Sequence, residues 1–283
     1  RGTFTVTNTA VTLPAAQLEV QTAWDGTTYT EPEKDADGVY LIGAPDELMW
    51  FNKYAKMTDS AKLTADIRIN EDIKAEVSTL YKWTPIGEYD SAKRYAGTFD
   101  GDGHTISGLF INISNDYNKA VNSLYQGLFG YIANTSTIKN LIVKGQVTVI
   151  NQKNKNVTRI AGIVGENKGT VQNCGFYGTV TAKKTNKGVE SDSTSSNGGV
   201  VGSGKALNCW YYRTGAAASN LGVCGGTATN CYQNAYDNAN AKGTYKISDS
   251  FKGIEVVMLL NDKRGDGKAW KPGAIHPEFL GAD

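Results

Sequence analysis

"GIVGENKGTVQNCGFYGTV", residues 162–180, sets five glycines in nineteen positions and an Asn-Cys pair among them. The same order recurs at Asn208-Cys209 and Asn230-Cys231, so three of the four cysteines directly follow an asparagine. The pair belongs to a repeat. Four segments open on G-h-h-G, with h apolar: 127–130, 162–165, 199–202 and 222–225. Each leads to an asparagine, Asn140, Asn173, Asn208 or Asn230, after 13, 11, 9 and 8 residues, and then to Leu141, Cys174, Cys209 or Cys231. An earlier stretch, "GTFDGDGHTISGLFI" (97–111), reads as a related unit.

Units of this size with strand-like alternation predict one coil each of a β-solenoid, with coils stacked about 4.8 Å apart as parallel strands. Equivalent residues then form ladders. The glycines serve corners or close backbone approach, and Asn suits a turn because it tolerates left-handed φ. The residue after Asn points inward and must be small and apolar, a role a free thiol fills. Cys174, Cys209 and Cys231 therefore read as an interior ladder beside Leu141, with Cys224 in the slot of Phe129, Val164 and Val201. Disulfides are the alternative, opposed by the parallel side chains of adjacent coils. No C-x-x-C spacing exists and the two histidines lie far off, which argues against a metal site.

Composition agrees. Gly is high at 32 and Pro low at 6 in 283 residues, and Tyr (15) outnumbers Phe (8), as in a β-rich chain with many tight turns. The net charge of +1 predicts no general attraction to nucleic acid. The charge is uneven: residues 97–232 carry 12 basic and 6 acidic side chains, which favours anionic partners over the flanks. The longest apolar run, Ile254 to Leu260, is seven residues and contains Glu255, so no transmembrane segment is predicted. The chain starts at Arg1 without Met, so a processed or trimmed form is expected.

"WTPIG…YAGTFDGDGHTISGL" (Trp83 to Leu109), followed by the G-h-h-G units ending in Asn-Cys, resembles the GLUG-motif proteins. These are bacterial cell-surface repeat proteins, also seen as modules in IgA-cleaving metallopeptidases. "DGVYLIGAPDELMWFNKYA" upstream and "FKGIEVVMLLN" with "HPEFLG" downstream resemble the flanks of such repeats, so the likeness spans about residues 37–280. It implies an exported solenoid, often adhesive and otherwise of unknown role, and carries no catalytic residues. The shortening of the third and fourth units departs from the pattern.

The expected fold is mostly β, a single-stranded right-handed parallel β-helix with short helices in both caps. Residues 1–23 read as an upstream strand or linker, 24–96 as an N-terminal cap with a helix near 45–56, 97–234 as coils, and 235–283 as a C-terminal cap with a helix near 250–261. Insertions at about 112–125, 150–160 and 183–198 precede the same landmark and should project from one side, carrying Lys119, Lys153, Lys155, Arg159, Lys183, Lys184 and Lys187.

By period-two alternation, positions two and four after each Asn face outward. Trp210, Tyr212, Tyr232 and Tyr177, with Lys144 and Asn234, would form a platform suited to sugar rings, unless the C-terminal cap covers it. An enzyme needs paired carboxylates, and Asp100 and Glu166 are the pair placed near one corner, two coils apart. Asp100 and Asp102 read as a turn, with a bound cation as the alternative. "GVVGSGKA" (199–206) fits a phosphate-binding loop but has Ala206 for the hydroxyl residue, and the repeat explains its glycines. Arg264-Gly265-Asp266 is a tripeptide that chance supplies, and His104 and His276 read as structural. No cofactor is expected. The leading reading is an extracellular or outer-surface module, monomeric and anchored, that binds a glycan or a host or neighbouring-cell surface protein. A carbohydrate-active β-helix enzyme and a non-binding spacer are the alternatives.

Overall fold

In the computed structural model, residues 22–71, 73, 79–115, 125–151, 159–192, 196–214, 221–234, 244–246 and 254–281 are described. The expected strand over 1–23 lies almost wholly outside them, as do Lys119, Lys153 and Lys155. In chain order the chain forms β1 (Tyr40–Ile42), α1 (Pro45–Tyr54), β2 (Ala61–Leu63), β3 (Ile67–Arg68) and β4 (Thr98–Asp100). Then follow β5 (Thr105–Asn115), β6 (Phe129–Ile132), β7 (Thr137–Asn151), β8 (Val164–Asn167) and β9 (Thr170–Asn186). Next are β10 (Val189–Asp192), β11 (Val201–Ser203), β12 (Lys205–Leu207), β13 (Trp210–Arg213) and β14 (Thr227–Thr229). The last are β15 (Cys231–Gln233), β16 (Thr244–Lys246), α2 (Ile254–Asp262), β17 (Trp270–Lys271) and β18 (Glu278–Phe279).

The molecule is a parallel β-solenoid of about four turns. Its large sheet stacks in the order β1-β2-β4-β7-β9-β13-β15-β16, and a second face stacks β6, β8 and β11. Each winding crosses the second face on its G-h-h-G segment, turns, and returns along the large sheet through the asparagine, which lies within β7 and β9 in the first two units and between β12 and β13 and between β14 and β15 in the last two. Leu141 pairs with Cys174, and the registers Trp210↔Gly175 and Trp210↔Tyr232 put Cys209 and Cys231 next in the same column. All four of these residues are fully buried, and every cysteine is a free thiol.

The two recurring residue types hold the windings together in different ways. Asn140, Asn173, Asn208 and Asn230 have φ of 52°, 54°, 53° and 51°, the left-handed bend at which the strand turns a corner. Their side chains bond one another rather than only local backbone. Asn173 Nδ2 donates to Asn140 Oδ1 (2.8 Å), Asn208 Nδ2 to Asn173 Oδ1 (2.9 Å), and Asn230 Nδ2 to Asn208 Oδ1 (2.6 Å). The second glycine of each unit lies against the carbonyl of the winding before it. A Cβ on Gly165 would sit 2.7 Å from the Gly130 oxygen, and one on Gly202 2.6 Å from that of Gly165. The first glycine makes room for a ring: a Cβ at Gly162 or Gly199 would enter the side chain of Phe176 or Tyr211.

At the N-terminal end α1 starts on Pro45, and Glu47 accepts from the backbone N–H groups of Gly43 and Ala44, which α1 cannot satisfy itself. Leu48, Met49 and Phe51 point inward, and Phe51 meets Tyr95 and Phe99 edge-on. β5, β7 and β9 run in register to Asn115, Asn151 and Lys184, so the three insertions leave from one edge. The third begins as a hairpin, with β10 antiparallel to β9 and Lys183 bonded to Glu190.

Candidate functional site

The outer face of the large sheet is where the aromatic rows were expected. Ile142, Gly175, Trp210 and Tyr232 do form one row, and Lys144, Tyr177 and Tyr212 the next. Trp210 and Tyr232 are nevertheless 0% and 4% exposed. The C-terminal segment folds back over them and builds a second hydrophobic cluster from Ile142, Trp210, Tyr232, Val256, Val257, Leu260, Trp270 and Phe279. Gly175 is the socket, since a Cβ there would lie 2.1 Å from the Trp210 indole. His276 stacks on Trp210 at 4.8 Å, and burial pulls its imidazole down to about 4.

The same segment reads the asparagine ladder. The Lys268 N–H donates to Asn140 Oδ1 (3.0 Å), Asn173 Nδ2 donates to the Lys268 carbonyl (3.0 Å), and Trp270 Nε1 donates to Asn173 Oδ1 (2.5 Å). Asn230 Nδ2 donates to the Leu259 carbonyl (3.1 Å). What stays half-exposed is Tyr177, Tyr212, Lys144 and Asn234. Tyr177 and Tyr212 stack at 5.2 Å and 19°, because in-register windings lay equal side chains face to face. Their rings pack on each other, so the expected open platform is replaced by a covered core beside a half-exposed tyrosine pair.

Asp100 and Glu166 are not brought together. Asp100 is on β4 beside Lys139 of β7, whereas Glu166 is on β8 between Tyr131 and Ser203, on the second face. The position equivalent to Asp100 two windings on is Gln172. The "TFDG" stretch lies in register with the strand before the asparagine turn, not with the G-h-h-G start that leads to Glu166. Glu166, 3% exposed, is held by Arg159 and by Lys168 Nζ (2.6 Å). Asp100 pairs with Lys139 (3.1 Å), and Asp102 with Lys62 (2.9 Å) and Lys268 (2.7 Å), so lysines occupy the space a cation would need. Asp100 Oδ1 also accepts from Asn140 and so begins the amide ladder.

The thiols are equally withdrawn. Burial pushes Cys209 and Cys231 well above the usual thiol range and Cys224 up to about 12, far from the depressed values of reactive cysteines. Gly199–Gly202 belongs to the glycine column, and Arg264-Gly265-Asp266 is the turn after α2, where Arg264 Nη1 donates to the Gly267 carbonyl. His104 lies 3.5 Å from Asp66.

A site missed in the sequence lies at the other side of the molecule. Tyr89, Tyr125 and Tyr131 cluster, with Tyr89 and Tyr125 stacked at 5.4 Å and Tyr89 47% exposed. Arg94 lies 4.4 Å over Tyr131, and Arg159 5.4 Å over Tyr125. Tyr125 continues into a cavity of about 270 Å³ whose lining includes Trp83, Pro85, Glu88, Ile113 and Gln126. Its residues come from the segment before the first aligned repeat and from an insertion, so no ladder marks them. The one available signal was Tyr131 in the row that holds Glu166 and Ser203.

No family model matches the chain. It is 28% identical over 185 residues to halomucin of Haloquadratum walsbyi, covering 62% of this chain and 2% of that protein. It is 31% identical over 91 residues to a "Putative Gly-rich membrane protein" of Evansella cellulosilytica, covering 32% of this chain and 9% of that protein. The chain thus spans a small fraction of the curated relatives it matches. A crystal structure of a "putative immunoglobulin A1 protease" from Bacteroides ovatus is similar at a TM-score of 0.45 and 15% identity, over 89% of this chain and 95% of that one. Among the described residues no helix is long and apolar enough to cross a membrane.

Proposed function

We propose that the chain is an exported surface module that recognises carbohydrate and performs no chemistry. The observation that carries this is the cavity beside the tyrosine cluster. Its walls of Trp83, Pro85, Ile113 and Tyr125 suit the apolar face of a sugar, and Glu88 and Gln126 supply hydrogen-bonding groups for its hydroxyls. At about 270 Å³ it holds the equivalent of roughly nine waters of ~30 Å³, the scale of one sugar ring rather than a chain. Tyr89 at the rim leaves a place for a second ring. Binding without catalysis is supported by the lysine-clamped carboxylates and the buried thiols. A place at the cell boundary is supported by the relative named as a membrane protein.

A glycan array probed with the intact chain tests the reading. Saturable binding that Tyr89→Ala and Glu88→Ala each weaken by about tenfold, the scale of one lost stacking or charged hydrogen-bond contact, is the expected result. Absence of binding to any sugar overturns it and leaves the spacer role.

A further inference from the structure

The C-terminal segment does more than cover the outer aromatics. Between it and the solenoid lies a second cavity, of about 190 Å³, remote in sequence from the tyrosine-lined one. Five ionisable side chains line it: Asp66, Lys144, Lys271, His276 and Glu278. Asp66 is already engaged by the Thr105 N–H (2.8 Å) and by His104. His276 Nδ1 lies 2.9 Å from the Pro277 carbonyl, and burial keeps the ring neutral near pH 7. The ammonium of Lys144 and the carboxylate of Glu278 differ from these. Both are half-buried and neither makes a hydrogen bond or an ion pair with any described residue.

Two opposite charges that line one small cavity and do not neutralise each other are costly unless a partner completes both. The cavity has room for about six waters of ~30 Å³, and Ile142 and Phe279 give it an apolar wall. The complement is a molecule of that size with an anionic and a cationic end and a short apolar side. We propose that this cavity binds a small α-amino acid as its zwitterion, with the carboxylate on Lys144 and the ammonium on Glu278. Because β18 and His276 form one side, occupancy also ties the C-terminal segment to the sheet.

Calorimetric titration of the whole chain with glycine, L-alanine, D-alanine and serine, set against propionate and ethylamine, tests the assignment. At least one amino acid should saturate one site, with propionate and ethylamine each weaker by about tenfold or more, since each lacks one charged contact. Lys144→Met and Glu278→Gln should each weaken the amino acid by a similar factor, and the near-isosteric Glu278→Gln guards against loss of fold. Sugar binding at the tyrosine-lined cavity should be unchanged in both variants, which separates this site from that one. Failure of every amino acid to bind, equal binding of propionate and alanine, or full affinity in both variants would each overturn the proposal.

Discussion

Two adjacent columns of the same sheet differ by one residue in sequence and by everything in what buries them. The inner column, Leu141, Cys174, Cys209 and Cys231, is sealed by the repeat itself. The outer column, Ile142, Gly175, Trp210 and Tyr232, is sealed by a segment that begins more than 20 residues after the last repeat. The inner column varies only between an aliphatic and a thiol. The outer one runs from no side chain at Gly175 to an indole at Trp210, because it must fit the contour of Trp270, Phe279 and His276. Alternation along a strand therefore tells which side a residue is on, and not whether that side is wet.

The strongest way to break the comparison is to remove the outer anchor. Trp210→Ala should cost about 3–5 kcal/mol, the usual range for a buried aromatic truncated in a core. Urea unfolding measures the loss. If the outer core is separate from the inner one, the four thiols of the folded variant should remain unreactive toward a thiol reagent. Rapid thiol labelling in the folded variant would mean that the C-terminal segment and the spine are one cooperative unit.

A second test uses acid. His276 is held down to about 4 from its ordinary 6.5, so between these values the unfolded chain binds the proton and the folded chain does not. Stability is whole above about pH 6.5 and falls as the pH drops toward 4, by up to about 3 kcal/mol. The ion pairs of Asp102 act in the same direction but lower, since its lysine partners hold that carboxyl below its ordinary value against the opposing effect of burial. His276→Gln should flatten the loss between pH 6.5 and 4 when unfolding curves are compared. An unchanged slope would mean that the imidazole is wet.

These two tests fall on what the sequence could not show. The inner column was legible because repetition writes the same requirement at Cys174, Cys209 and Cys231, and a thiol after an asparagine has few other uses. The left-handed turn was legible for the same reason. The cover over Trp210 was not, because the contact between Trp210 and Trp270 depends on how the chain returns, and nothing periodic encodes a single return. The tyrosine cavity draws Trp83 from the segment before the first aligned repeat and Ile113 and Tyr125 from the two ends of one insertion, and each occurs once. Asp100 and Glu166 both sit next to a repeat glycine, but strand register puts them on different faces, and residue spacing alone does not carry register.

The amide ladder lies between the two columns, at the corner itself. Asn208→Ala should cost about 2–3 kcal/mol, from roughly 1–2 kcal/mol of left-handed strain and about 1 kcal/mol for the hydrogen bonds to Asn173 and Asn230. Asn208→Gly relieves the strain and keeps the loss of bonds, so the difference between the two variants in thermal unfolding separates geometry from ladder. Equal losses would assign the asparagine to the ladder alone.

The smallest effect belongs to the inner column, and its size is the point. Cys209→Ala removes one buried sulfur from a row whose neighbours are also thiols, and should cost about 1 kcal/mol, the lower end for small truncations in a core. Cys209→Ser keeps the size and the bond that the thiol gives the Leu207 carbonyl, so its cost isolates the penalty of a hydroxyl in a dry column. If serine is tolerated as well as alanine, the column is not selected for apolarity and the Asn-Cys order records only volume. If serine costs more, the column requires dryness, and a thiol is retained there because it is the smallest side chain that fills the space while asking little of the solvent it excludes.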